Sequence, residues 1–202
     1  TFFAVVAFAA LNFLLPVIFG LRPELATPLS AARDMAFDVR HAPGQTQWTG
    51  SRAGVHHDLT VWVAEDAPVK QMRLRVRNPG DRLRQMTVTY YAQWQLGAMP
   101  GATQGGIVTE YDAGSGALMA RNGWTPEFAG RVAFVTATRP PHSLSCERAD
   151  VIGRSGSLAR PEGLLRWDLG QRVVSEVSPC AAYQLHLELA AGAEEGVVFV
   201  FV

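Results

Sequence analysis

The chain has 202 residues, with 18 Lys and Arg against 18 Asp and Glu, and a balanced charge lacks the basic footprint expected of a nucleic-acid binder. At this length it makes one domain, or one domain plus an appendage, and buries enough surface to need neither a disulfide nor a structural metal. Cys146 and Cys180 lack CxxC spacing and read as free, buried, small hydrophobes.

The chain starts at Thr1 rather than Met, so a piece of a longer protein is expected. Residues 1–21, "TFFAVVAFAALNFLLPVIFGL", carry no charge, and only Thr1 and Asn12 are plainly polar. About 20 such residues suffice for a helix to cross a bilayer, and a membrane tolerates the kink at Pro16. A buried core helix and a segment foreign to the domain fit the same composition. Residues 22–34 form an extended connector, because Pro23 and Pro28 break any continuing helix.

From Met35 onward the hydrophobic period is two. Leu59, Val61 and Val63 share one face of a strand, with His56, Asp58, Thr60 and Trp62 on the other. Met72, Leu74 and Val76 alternate with Arg73, Arg75 and Arg77. Met86, Val88, Tyr90, Ala92 and Trp94 alternate with Thr87, Thr89, Tyr91, Gln93 and Gln95. "RNPGDRLR" (77–84) and "LAAGAEEG" (189–196) have the Gly, Pro and Asp content of hairpin connections. The closing "GVVFVFV" reads as a strand buried on both faces. Long one-sided strands without helices predict an all-β antiparallel sandwich.

Candidate chemistry is sparse. His56 and His57 point to opposite faces of a strand, so the "HHD" at 56–58 offers too few ligands for zinc. Glu110 and Asp112 share a face, yet carboxylates beside a turn have local uses. Ser143, Ser145 and His142 lack the strand–elbow–helix context of a hydrolase nucleophile. No catalytic residue, metal or cofactor is expected. Two groups suit sugars better: Trp62, Tyr91, Gln93 and Gln95 on the non-core faces of neighbouring strands, and Arg121, Asn122, Trp124 and Glu127 after the hairpin 107–121. Rings stack on sugar C–H faces, while amides, carboxylates and a bidentate Arg bind hydroxyls. The segment 121–128 either presents these groups to a ligand or plugs the end of the sandwich.

The series "VRHAPGQTQW", "LTVWVAEDAPVKQMRLRVRN", "TVTYYAQWQLG", "VTEYDAGSGALMARN", "PEFAGRVAFV", "RPPHSLSCERADVIGRSGSLARP" and "PCAAYQLHLELAAGAEEGVVFVF" runs in this order. It resembles the β-supersandwich domain of glycoside hydrolase family 94, formerly glycosyltransferase family 36, and is most similar to the sandwich of cyclic β-1,2-glucan synthetases. The match covers residues 35–202. "QTQWTGSRAGVHHD" departs from the family pattern, and the apolar 1–21 stands outside it. The resemblance implies a galactose-mutarotase-like supersandwich followed in the parent chain by a helical barrel that holds the catalytic acid. On that reading these residues form a non-catalytic support and carbohydrate-binding module. Its partners would be a β-glucan oligosaccharide, the barrel and a second subunit, at a bacterial inner membrane or in the cytoplasm. An independent carbohydrate-binding or assembly module, membrane-tethered through residues 1–21, is the alternative.

Overall fold

A computed structural model describes residues 14–15, 24–25, 37–52, 54–97, 104–124, 129–157, 161–175 and 177–202. The strands are β1 (Leu14–Leu15), β2 (Glu24–Leu25), β3 (Phe37–Ala42), β4 (Gln45–Arg52), β5 (Val55–Val63), β6 (Lys70–Arg77) and β7 (Arg84–Gln93). They continue with β8 (Ile107–Asp112), β9 (Ala117–Asn122), β10 (Ala133–Ala137), β11 (Ser143–Glu147), β12 (Pro179–Leu189) and β13 (Glu194–Phe201). One short helix, α1 (Arg148–Val151), follows β11. The strands form a five-stranded sheet in the order β11-β12-β7-β1-β2 and an eight-stranded sheet in the order β3-β4-β5-β6-β13-β10-β9-β8. Every strand pair is antiparallel, as the period-two reading expects.

The core lies between the sheets. The five-stranded sheet contributes Met86, Val88 and Tyr90 from β7, with Trp94 just after it, and Tyr183, Leu185 and Leu187 from β12. The eight-stranded sheet meets them with Leu59, Met72, Leu74, Val76, Leu118, Val135 and Phe199. Tyr90 stacks on Phe199 at 4.9 Å between ring centroids, and Trp94 on Phe201 at 5.5 Å. Tyr183 reaches across this core. Its hydroxyl accepts a hydrogen bond from the Leu118 amide at 2.8 Å and lies 2.7 Å and 2.8 Å from the carbonyls of Gly116 and Val135.

Three readings of the sequence need correction. The turn-rich stretches 77–84 and 189–196 do not close hairpins. Each carries the chain from one sheet to the other, β6 to β7 and β12 to β13. Asn78 joins the two crossings: fully buried, it donates from Nδ2 to the carbonyls of Arg82 at 2.7 Å and of Leu189 and Ala190 at 3.1 Å. Its own amide donates to the Ala193 carbonyl at 2.9 Å, and its Oδ1 accepts from Gly80 N at 3.2 Å. Second, Tyr91 and Trp62 are not on neighbouring strands. They lie on different sheets, and Tyr91 is buried with Cys180 and Ala182 under Val151, Ile152 and Leu169. The cover approaches α1 so closely that a Cβ on Gly163 would stand 2.8 Å from the Val151 carbonyl oxygen. Third, β13 is fully buried on one face only, at Val197 and Phe199, while Val198 and Val200 are half-buried.

Both cysteines are free and buried as expected. Burial pushes the Cys146 thiol up to about 11, which removes any thiolate chemistry at neutral pH. Apart from the two short strands, the apolar segment 1–21 and the connector 22–34 lie outside the described residues. Among the described residues no helix is long and apolar enough to cross a membrane.

Candidate functional site

The hairpin of β8 and β9 forms one margin of the eight-stranded sheet, with β8 as its outermost strand. Asp112 builds its turn: the carboxylate accepts from Gly114 N, Ser115 N and the Ser115 hydroxyl. Those bonds, the Ser115 hydroxyl foremost, hold Asp112 below the usual carboxylate range. Glu110 pairs across the hairpin with Arg121, 3.2 Å from carboxylate to guanidinium, and both side chains are exposed. The two carboxylates are therefore engaged in local structure, and neither is buried as a proton donor held neutral would require.

Alternation divides the expected site residues. Arg121 stands on the outward face of β9, while Asn122, next to it, turns inward and is buried. The Asn122 side chain is used at both ends: Nδ2 donates to the Leu96 carbonyl at 2.5 Å, and Oδ1 accepts from Trp124 N at 3.0 Å. It thereby fixes the point where the chain leaves the sheet. Trp124 follows and is 84% exposed. Its indole lies over Gly106, where an added Cβ would come within 2.8 Å of the ring, so only glycine lets the ring take this position. Thr125, Pro126, Glu127 and Phe128 lie outside the described residues. Around Arg121 the outward face carries Glu110 together with the exposed Val108, cross-strand on β8, and the exposed Val132 just before β10.

Trp62 occupies the outward face of the same sheet, on β5, in register with Gln45 and Gln71. Nearby, Asp58 is held by three strands: Gln47 Nε2 donates to it at 2.6 Å, Thr60 Oγ1 at 3.1 Å and Arg75 at 2.9 Å. Burial pushes its pKa up, but the bonds from Arg75, Gln47 and Thr60 outweigh burial and leave it below the usual range. His56 and His57 point to opposite faces; burial lowers the pKa of His57 and keeps it neutral at pH 7. Among the described residues no group of three metal-ligating side chains converges.

A feature that sequence reasoning missed lies on the outer face of the five-stranded sheet. His186 of β12 is stacked by Trp167 at 4.3 Å and met edge-on by His142 at 3.9 Å. These residues are separated by 19 and 25 positions in the chain; the pairing of β11 with β12 sets His142 beside His186, and the segment between those strands lays Trp167 over them.

The chain was compared with known proteins on this footing. A family model described as glycosyl hydrolase 94, supersandwich domain, matches residues 25–202. The chain belongs to that family. The supersandwich domain is also similar to the cyclic β-(1,2)-glucan synthase NdvB of Rhizobium meliloti (strain 1021), at 26% identity over 172 residues. That alignment takes in 85% of this chain and 6% of the synthase, so the domain spans a small part of this relative's length. Among solved structures, a polysaccharide lyase superposes with a TM-score of 0.52 at 10% identity, covering 96% of this chain and 25% of the lyase. That likeness is one of fold alone. The all-β supersandwich expected from the sequence is thus the fold observed, in the expected family.

Proposed function

We propose that this supersandwich domain is a non-catalytic module of a β-1,2-glucan-processing enzyme, and that it presents Trp124 and Arg121 to the glucan. Asn122 acts as the positioning residue, and Glu127 completes the polar set. The observation that carries this reading is Trp124 itself. A plug would bury its indole, whereas this ring is 84% exposed and rests on a glycine. An exposed aromatic can stack on a sugar ring, and a guanidinium can bind its hydroxyls. The similarity to a cyclic β-(1,2)-glucan synthase supports the choice of glucan. The helical barrel and a second subunit are the partners expected to complete the cleft.

Trp124→Ala in the full-length parent enzyme should raise KM for the glucan roughly 5- to 30-fold, as expected for about 1–2 kcal/mol of lost binding. Thermal stability should move little, because exposed substitutions usually stay within about 0.5 kcal/mol. An unchanged KM, or a large loss of stability, would rule out the role. The isolated chain should release no glucose 1-phosphate from β-1,2-glucans and inorganic phosphate; release above a protein-free control would contradict the non-catalytic assignment.

A further inference from the structure

A groove of about 320 Å³ opens on the outward face of the eight-stranded sheet, lined chiefly by Thr49, His56, Asp58, Arg75, Arg77 and Glu194. Strand register builds it in rows. His56, Arg77 and Glu194 stand side by side across β5, β6 and β13, and Asp58, Arg75 and Gly196 form the next row. Gly196 leaves that second row without a side chain beside Arg75, where the nearest side-chain atom to an added Cβ is Arg75 Cγ at 3.7 Å.

The lining is ordered, yet it has bonding capacity to spare. A carboxylate has about four acceptor sites, and Asp58 uses three, on Gln47, Thr60 and Arg75. Arg75 also faces Glu194 at 3.8 Å, too far for a strong hydrogen bond, so the Glu194 carboxylate keeps most of its acceptors. Arg77 forms no ion pair among the described residues, and its guanidinium offers five N–H donors. The formal charges cancel, two arginines against two carboxylates, so the groove has no net attraction for an anion or a cation. What it offers is donors and acceptors in alternation on a fixed frame. A hydroxyl group donates and accepts at once, and a lining of this kind is matched to several of them. The volume sits at the small end of ligand pockets, roughly 300–1,000 Å³.

We propose that this groove binds a neutral, hydroxyl-rich ligand, a terminal sugar residue of an oligosaccharide, at a site separate from Trp124. The separation follows from the register. Seven rows run from Glu194 to Phe201 on β13, and three more run from Leu118 to Arg121 on β9. Ten rows amount to roughly 33 Å along the strands, so no disaccharide touches both places. The groove holds a sugar whether or not the hairpin end does.

The test is an amide NMR titration of the chain with sophorose, the β-1,2-linked glucose disaccharide, and with inorganic phosphate in a parallel sample. Sophorose should shift the amides of Thr49, His56, Arg77 and Glu194. Arg77→Ala should weaken that response at least tenfold, with Glu194→Gln as the second variant should Arg77→Ala fail to fold. Trp124→Ala should leave the groove response as it is. A groove response with none near Trp124 supports the groove and counts against the hairpin-end reading. Shifts confined to the surroundings of Trp124, a response to phosphate but not to sophorose, or no groove shift at high millimolar sugar would each overturn the proposal.

Discussion

Asn78→Ala should lower the unfolding free energy by about 3–5 kcal/mol, read as a fall in the urea midpoint at unchanged slope. The size follows from what the side chain holds. Its amide serves the carbonyls of Arg82, Leu189 and Ala190, and its carbonyl receives Gly80 N, all from a fully buried position. Truncation takes the Asn78 donor from the carbonyls of Arg82 and Leu189, at about 1–3 kcal/mol for a buried group left unmet, and opens a small void, while the Ala190 carbonyl keeps the Ala193 amide. Asn78→Asp is the discriminating control. It keeps the shape but puts one charged acceptor oxygen, in place of Nδ2, against the carbonyls of Arg82, Leu189 and Ala190, so it should be at least as damaging as alanine. If aspartate is tolerated, or alanine costs less than about 1 kcal/mol, the two crossings do not depend on this residue.

Tyr183→Phe should cost about 2–3 kcal/mol, because it strands the buried Leu118 amide without an acceptor. The hydroxyl has one proton, so it donates to the Gly116 or the Val135 carbonyl while accepting from Leu118. The substitution removes no ring contact and changes volume by a single oxygen. The loss therefore measures the polar bridge between the sheets and not packing. The effect should be seen in denaturant melts and in faster hydrogen exchange at Leu118, while the exchange of β5 and β6 stays as in the parent. A loss within about 0.5 kcal/mol would mean that water replaces the phenol.

The period-two runs of β5, β6 and β7 could be read directly, because alternation is what a one-sided strand requires. The connections could not. "RNPGDRLR" has the same turn chemistry whether it reverses a strand within a sheet or lifts the chain to the opposite one. The difference is decided by β13 and β12, far along the chain, which take the places beside β6 and β7. Tyr91 reads as surface-facing for a related reason: its face would be wet if α1 and Leu169 did not cover it. At the hairpin end, composition leaves open whether residues 121–128 are exposed or plug the sandwich, and in the structure Trp124 is exposed. Asn122 illustrates the limit, since an asparagine that caps a chain exit and one that binds a hydroxyl look identical in sequence.

The two crossings also govern the order in which the domain can assemble. β3 to β6 form a meander of near neighbours and can pair early, at low loop-closure entropy. β7, in contrast, must wait for residues 179–189, and β6 for residues 194–201. Until those arrive, Leu59, Met72, Leu74 and Val76 face outward from an uncapped sheet. Such long-range pairing places folding on the millisecond-to-second scale or slower, with an adhesive apolar face exposed meanwhile. During synthesis this waiting interval is when the chain most needs a chaperone, and refolding yield should fall as protein concentration rises.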